Sequence, residues 1–485
     1  MTQTQNRTND DPVHGSYRER RVRQWDSVAR KLDNWSGHGG YYQRWLSRVY
    51  RFITPPGQRI LEIGCSSGDL LAALRPRFGV GIDFSSEMVN RAAVKYPLLH
   101  FVRADAHALC MSHEFDYIVL SDLVNDVWDV QGVLEQIRSI TTNRTRLILN
   151  TYSKLWELPL AVTRGLGASK QVLEQNWLTV EDMRNLLELA GFEVIRLWPE
   201  MIFPLNLPLA GEFMNRFLAR IWPASQLAIT NFILARPEPG NSVTIRKPVV
   251  SVIVPARNEA GNIEGIMRRT PSMGSGTELV FVEGHSDDGT YETIVELQRR
   301  YPLRQMKVLK QSGEGKGDAV RLGFSQAIGE MLLVLDADLT VAPEALPRFY
   351  EALVAGRGDF VNGVRLVYPL EKGAMRFPNL IGNKLFSMLF SWLLGQPVKD
   401  TLCGTKALWR EDYLRIEVNR EFFGDFDPFG DFDLLFGAAK LGLKIVDMPV
   451  RYGERSYGET NISRWKHGLL LLRMAVFAMF RLKFV

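Results

Sequence analysis

The chain has 485 residues, enough for two or three domains with separate cores. Hydrophobic residues make up 46% and charged residues 23%, which excludes a disordered chain, and three widely spaced cysteines (Cys65, Cys110, Cys403) exclude a disulfide framework or zinc site and fit a reducing cytosol. The formal net charge of +5 is mild for this length and does not call for nucleic acid; an anionic lipid surface is an equally good partner.

Residues 1–17 are polar, lack an apolar signal core and are expected to be disordered. From Arg18 to Tyr50 the chain is aromatic and basic, with Trp25, Trp35, Tyr41, Tyr42 and Trp45 among arginines, and reads as helices packed on the front of a domain. After a PPGQ turn, Arg59 to Ile63 is a short strand, Gly64 to Gly68 a turn, and Asp69 to Leu74 the start of a helix. Val80 to Asp83 is a second strand ending in an acid. A glycine turn in a βαβ unit, with an acid about 20 residues further on, is the pattern that binds a nucleotide-like ligand. The glycines let the backbone approach the ligand, and Asp83 can accept hydrogen bonds from a ribose diol.

The run Glu62-x-Gly64-x-Ser66-x-Gly68 resembles motif I of the class I S-adenosylmethionine-dependent methyltransferases, E-x-G-x-G-x-G, with Ser66 in place of the middle glycine. The resemblance continues to residue 236. It implies a Rossmann-like domain over 18–236 that binds S-adenosylmethionine through Glu62, Gly64, Ser66, Gly68, Asp83, Asp105 and Asp122. Asp105, in FVRADA, stands where the family reads the adenine amine. FDYIVLSD, ending at Asp122, matches the fourth strand, whose end faces the methyl group. Arg146 to Asn150 is the fifth strand, Thr179 and Asp182 open a helix as a near capping box, and 190–195 with 229–235 complete the sheet. Methyl transfer needs alignment and, for a hydroxyl acceptor, a base. Asp122, Asn125, Asp126 and Tyr152 lie near the right strand ends, and none of them specifies the acceptor. Trp156 to Lys170 and Pro199 to Trp222 are apolar insertions that either roof this site or pack as core.

Residues 237–248 lie in a stretch with three prolines and no apolar periodicity, and read as a linker. Beyond it, Val249 to Ala256, Glu278 to Glu283 and Met306 to Leu309 are strands alternating with helices. This alternation predicts a second doubly wound α/β sheet with ligands outside its carboxyl ends. Acids at such ends (Glu283, Asp288, Asp336 and Asp338) suggest one crevice. In MLLVLDADLT, five apolar residues precede Asp336-Ala-Asp338. Residues i and i+2 of a strand share a face, so the two carboxylates are expected to hold one divalent cation that grips a diphosphate.

Residues 249–463 resemble a GT-A-fold glycosyltransferase of family 2, in the group of polyprenyl- and dolichyl-phosphate sugar synthases. The resemblance rests on SVIVPARNE, on the turn after Glu283, on GKGDAVRLGF and on the Asp-Ala-Asp, in the family's order. It implies a nucleotide-sugar site formed by Pro255, Asn258, Glu259, Glu283, Asp288, Lys316 and Asp336, with Asp336 and Asp338 binding the diphosphate through Mg²⁺ or Mn²⁺. Gly284 stands where the family carries a second acid. DTLCGTK (400–406) resembles the segment near the acceptor, with Gly404 its glycine. Gly430-Asp431-Phe-Asp433-Leu resembles E-D-x-E-L, leaving Asp431 as the catalytic carboxylate. Arg455-x-x-Gly458-x-Thr-Asn461-Ile resembles a phosphate-contacting loop with Asn461 for its lysine, so that Arg451 or Arg455 takes that contact.

The resemblance implies inversion at the anomeric carbon, with the acceptor attacking opposite the departing diphosphate. A lipid phosphate is already an anion at neutral pH, and Asp431 would then position it; a glycan hydroxyl would need Asp431 as a base. Leu380 to Leu394 and Trp465 to Val485 are apolar with interspersed cations and are too short or interrupted to span a bilayer. They suit helices lying in the interface, with core or dimer packing the competing reading. The expected protein is an α/β bifunctional enzyme, two doubly wound domains followed by an amphipathic helix over 464–485, peripheral at the inner face of the membrane. The competing reading is a soluble glycosyltransferase whose first half is a non-catalytic cofactor-binding scaffold.

Overall fold

The computed structural model describes residues 12–31, 38–165, 173–207, 209–240, 247–368, 377–420, 430–455, 457 and 464–484. The chain divides into two compact units, Met1–Glu238 with Phe484–Val485, and Pro239–Lys483.

The first unit runs α1 (Pro12–Lys31), α2 (His38–Ile53), β1 (Arg59–Ile63), α3 (Asp69–Ala73), β2 (Phe78–Asp83), α4 (Ser86–Lys95), β3 (His100–Arg103), β4 (Tyr117–Leu120), α5 (Val130–Ser139), β5 (Arg146–Tyr152), α6 (Glu157–Gly165), α7 (Val180–Leu189), β6 (Phe192–Glu200), α8 (Ala210–Arg216) and β7 (Thr230–Pro237). Its sheet has the order β3-β2-β1-β4-β5-β7-β6, parallel as far as β5, with β7 antiparallel to both neighbours. Strand alternation divides the apolar residues between two cores. Leu61, Ile63, Ile118, Leu120, Leu147 and Leu149 feed one face; Ile60, Tyr117, Val119 and Ile148 feed the other. Side chains fix the helix starts: Ser85 caps α4, Asp129 caps α5, and Thr179 with Asp182 forms a full capping box on α7. α1 begins at Pro12, so residues 12–17, expected to be disordered, are helical.

The second unit runs β8 (Val249–Ala256), α9 (Ala260–Arg269), β9 (Gly276–Glu283), α10 (Thr290–Arg300), β10 (Met306–Lys310), α11 (Gly315–Gln326), β11 (Met331–Val334), α12 (Leu346–Val354), β12 (Phe360–Val364), α13 (Phe377–Leu394), β13 (Lys406–Trp409), α14 (Arg410–Val418), α15 (Asp431–Lys440), β14 (Ile445–Pro449) and α16 (Arg464–Ala478). The sheet order is β10-β9-β8-β11-β13-β12-β14. β10, β9, β8 and β11 are parallel, whereas β13 returns antiparallel to both β11 and β12, so the sheet is mixed rather than wholly parallel. Val250, Val252, Val254, Leu279, Phe281, Leu333 and Leu335 belong to one buried core. β11 ends at Val334, two positions before Asp336; the two acids therefore lie in the loop that follows, and strand pleat does not place them.

Candidate active sites

The first site lies where β1 and β4 diverge, the point at which an open α/β sheet leaves a crevice. Gly64 and Gly68 have positive φ (77° and 75°), as does Ser66 (47°). A Cβ at Gly64 would sit 2.9 Å from Leu123 Cδ1, and one at Gly68 would sit 2.6 Å from the Phe101 ring, so neither glycine position has room for a side chain. Asp83 braces it: Oδ2 accepts from Ser66 N and Oδ1 from Ser85 N, both at 2.9 Å. Each oxygen keeps a lone pair for a diol. Glu62 is buried, its Oε2 has no hydrogen-bond partner among the described residues, and burial pushes its carboxyl well above the usual range.

Asp105 is engaged within the protein. One oxygen meets Arg18 at 3.0 Å and the other His107 Nδ1 at 2.8 Å. Burial alone would raise it, but His107 and Arg18 outweigh burial and bring it to about 2. Asp122 follows β4 in left-handed backbone (φ 55°). Its Oδ1 accepts from Tyr42 OH at 2.9 Å and Asn150 Nδ2 at 2.5 Å, and burial pushes it up to about 6. Asn150 in turn accepts from Tyr50 OH at 2.7 Å.

Sequence reasoning missed the clasp that α1 makes over these strand ends. Arg18 reaches Asp105; Arg21 pairs with Asp126; Trp25 Nε1 donates to Asp126 at 2.8 Å; Asp26 accepts from Ser85 Oγ. Tyr42 and Asn150 were missed as well. The arginines and Trp25 were visible as a basic aromatic stretch, but their partners lie up to 105 residues away and nothing local announces them. The orphan oxygen of Glu62, the tight glycine turn and the spare acceptors of Asp83 fit S-adenosylmethionine.

The second site lies at the ends of β8, β9 and β11. Asn258 (φ 57°) is locked by its own N–H to Ser286 Oγ and by Asp287 N to its Oδ1. Pro255 is opposite Val282 in the β8–β9 ladder. Glu283 closes the turn by accepting from Ser286 N at 2.6 Å, and Asp288 caps both α9 and α10 through Ala260 N and Thr290 N at 3.1 Å. At Gly284 a Cβ would lie 3.0 Å from Gln311 Oε1, the end of a flexible side chain.

Deeper in, Lys316 at the start of α11 joins three segments. Its Nζ is 2.6 Å from Asp336 Oδ1 and 3.8 Å from Asp431 Oδ2. Burial would lower the amine, yet the two carboxylates hold it above its usual range, and Lys316 holds Asp336 below its own against burial. Gly404 packs against this pair: a Cβ there would collide with Lys316 Nζ and the Asp336 carboxylate. Asp431 opens α15, and Gly430 before it (φ 72°) presses on Gly317 of α11, where a Cβ would sit 2.6 Å from Gly317 Cα. That contact removes the space for the glutamate of the family motif. Lys406, fully buried and unanticipated, approaches Asp431 Oδ1 at 3.6 Å and donates to Asn362 Oδ1 and Cys403 O.

Asp338 faces a different cation. Arg455 bridges Asp338 at 3.1 Å and Glu259 at 3.4 Å, and burial raises Glu259 to about 7 despite Arg455. Arg451 lies over the Tyr368 ring, 5.4 Å from its centroid, and pairs with none of these carboxylates, so of the two arginines only Arg455 joins the cluster. Gly458 and Asn461 lie outside the described residues. Among the described residues no group of three or more His, Cys, Asp or Glu is placed to hold a metal. The donor set fits Mg²⁺ or Mn²⁺ arriving with a diphosphate, bound by one or two carboxylates and phosphate oxygens, and not a closed protein cage.

Residues 251–415 match the model of glycosyl transferase family 2, and residues 37–197 match that of a methyltransferase domain. The dolichol-phosphate mannosyltransferase of Pyrococcus furiosus is 31% identical over 229 residues, 44% of this chain and 59% of that protein. Glycosyltransferase AglJ of Haloferax volcanii is 30% identical over 221 residues, covering 45% of this chain and 68% of that protein. The undecaprenyl-phosphate 4-deoxy-4-formamido-L-arabinose transferase of Edwardsiella ictaluri is 27% identical over 227 residues, 46% of this chain and 64% of that protein. The chain thus spans 59–68% of the length of these curated relatives. With the Lys316–Asp336–Asp431 cluster in one unit and the Gly64–Gly68 turn in the other, the chain belongs to glycosyl transferase family 2 and carries a methyltransferase domain ahead of its glycosyltransferase domain.

Proposed function

We propose that the chain is a bifunctional enzyme whose second unit transfers a sugar from a nucleotide-sugar to a polyprenyl-phosphate-type lipid with inversion, while its first methylates an acceptor from S-adenosylmethionine. The observation that carries the transferase reading is the convergence of Lys316, Asp336, Gly404 and Asp431. In this reading the bond from the anomeric carbon to the diphosphate breaks as an acceptor oxygen attacks from the opposite face. Asp336 and Asp338 would hold Mg²⁺ or Mn²⁺, which when bound offsets the diphosphate's charge. Lys316 binds a phosphate oxygen, Glu283 and Asn258 orient the nucleoside, and Arg455 meets the acceptor phosphate. Asp431, between the ammonium groups of Lys316 and Lys406, orients an acceptor that needs no proton removed, since a phosphate monoester has its second pKa at about 6. The named lipid-phosphate activities of two relatives support the acceptor class.

The test uses the full chain with nucleotide-sugars, Mn²⁺ and undecaprenyl phosphate. Product should form on the lipid phosphate, and Asp431→Asn should lower kcat about tenfold rather than abolish it, well short of the 10²–10⁴-fold that loss of a general base costs. Transfer to a glycan hydroxyl alone, abolished in Asp431→Asn, would overturn the acceptor assignment.

Peripheral membrane contact belongs to the same reading. No helix among the described residues is long and apolar enough to cross a membrane. α13 nevertheless exposes Ile381, Leu385 and Met388 on one face, and α16 with its extension exposes Leu469, Leu472, Val476 and Phe480 beside Arg473 and Arg481. Apolar stripes flanked by cations suit the headgroup region of an anionic bilayer, which supports a peripheral location at the cytoplasmic face.

A further inference from the structure

The methyltransferase domain holds a carboxylate just past β4 with one oxygen held by the protein and the other left over. Asp122 stands at the end of β4, next in the chain to Leu123, whose side chain packs on Gly64 of the cofactor turn. Its backbone is left-handed, a conformation that costs a non-glycine residue free energy and survives where the surroundings enforce it. Oδ1 is held by Tyr42 OH and Asn150 Nδ2, and among the described residues Oδ2 has no partner. The residue is half-buried. Beside it run three half-buried rings, with centroids 6.1 Å apart for Tyr42–Tyr152 and 6.0 Å for Tyr152–Trp177.

We propose that Asp122 is the general base of an O-methyltransferase whose acceptor is a neutral hydroxyl on a sugar ring, bound against Tyr42, Tyr152 and Trp177. The proposal rests on the methyltransferase reading and adds its acceptor class. The acceptor oxygen forms a bond to the methyl carbon, the carbon–sulfur bond of the sulfonium breaks with its electron pair leaving on the thioether sulfur, and the hydroxyl proton passes to Asp122 Oδ2 and then to solvent. Tyr42 and Asn150 are positioning residues: by occupying Oδ1 they leave Oδ2 to face the acceptor. A phosphate or carboxylate acceptor would meet Asp122 with like charge. The second unit of the same chain handles sugars, which offer hydroxyls in abundance. Among the described residues the groups facing Asp122 are Tyr42 and Tyr50 from α2 and Asn150 and Tyr152 from β5. Burial holds the three tyrosines above their usual range, leaving them neutral, and places Asp122 at about 6, near the working pH of a base.

The experiment takes the full chain, ¹³C-methyl-labelled S-adenosylmethionine, and methyl α-D-mannoside, methyl α-D-glucoside and methyl 2-amino-2-deoxy-glucoside as probes. Wild type should yield methyl ethers, with kcat/KM rising through pH 6. Asp122→Asn should lose about a hundredfold or more in kcat while binding S-adenosylhomocysteine within twofold by calorimetry and keeping its circular dichroism. Tyr42→Phe should move the acid limb of the pH profile with cofactor binding unchanged. Labelling of the amine only, no methylation of any glycoside, or an Asp122→Asn enzyme at wild-type rate overturns the proposal. Loss of S-adenosylhomocysteine binding in Asp122→Asn overturns it too, because Asp122 would then be a cofactor ligand. A wild-type chain that binds no S-adenosylhomocysteine instead sinks the methyltransferase reading beneath it.

Discussion

Gly404 is the residue on which the transferase site closes. Its missing side chain is what lets Lys316 Nζ and Asp336 lie in contact. Gly404→Ala should push that pair apart. Displacing a reacting group by about 1 Å costs roughly a hundredfold in rate, whereas overpacking costs roughly 1–3 kcal/mol of stability. Sugar transfer should therefore fall about a hundredfold while the protein stays folded, as measured by kcat beside circular dichroism; a variant at wild-type rate would show that the contact is incidental. Asp105 gives a prediction on pH. Its carboxyl, brought to about 2 against burial by His107 and Arg18, lies below the ordinary 3.8. A depressed acid stabilises the fold at pH above the unfolded value and loses that contribution as pH falls toward the folded one. Unfolding by urea should thus grow easier between pH 4 and 2, with a shallower slope in Asp105→Asn. Asp336, Lys316 and Asp431 were legible in the sequence because each sits in a motif with fixed order. Lys406, Tyr42 and Asn150 were not, since their meaning lies in partners that only the sheet brings close.

Elements were legible wherever burial imposes a period. Strands such as Ile60–Ile63 and Val250–Val254 are apolar on both faces, as a sheet covered on both sides requires, and the βαβ order follows from them. β13 was not legible, because four residues between a helix and a turn carry no sign of strand direction. The start of α1 was missed for another reason. It carries no apolar period: Tyr17 OH donates to Asp126 O, and Arg18 and Arg21 just beyond meet the acids Asp105 and Asp126 at strand ends. α13 and α16 show the limit of pattern from the other side, since an exposed apolar stripe and a buried one look alike in sequence. Exposure separates them: Leu385 is 58% exposed and Leu472 is 51% exposed, while Phe390 on the opposite face of α13 is fully buried. Burying one leucine is worth about 1.5–3 kcal/mol, and about 1.4 kcal/mol is a factor of ten in affinity. Leu385→Asp combined with Leu472→Asp should therefore weaken binding to anionic phospholipid vesicles by at least about a hundredfold in a flotation assay. The wild-type interaction should also weaken with added salt. Equal flotation of variant and wild type would assign the stripe to protein packing.

At the scale of the molecule, two sheets with separate cores and separate ligand chemistry follow one another in a single chain, divided at Glu238 and Pro239. Units with their own cores unfold as their own cooperative transitions unless coupled, so one unfolding free energy does not describe the chain. A ligand that binds only a native unit stabilises that unit by RT ln(1 + [L]/Kd), about 2.7 kcal/mol at a hundredfold excess over Kd. For a domain of this size that raises a midpoint by roughly 5–10 °C. Differential scanning calorimetry of the full chain should resolve two transitions. S-adenosylhomocysteine should raise one of them, and a nucleoside diphosphate with Mn²⁺ should raise the other. Gly404→Ala should reduce the nucleotide shift and leave the S-adenosylhomocysteine shift intact, because Lys316 and Asp336 belong to one unit and Gly64, Ser66 and Asp83 to the other. If either ligand moved both transitions together, the two activities would be energetically coupled, and the chain would work as one enzyme with two chemistries rather than as two enzymes on one strand.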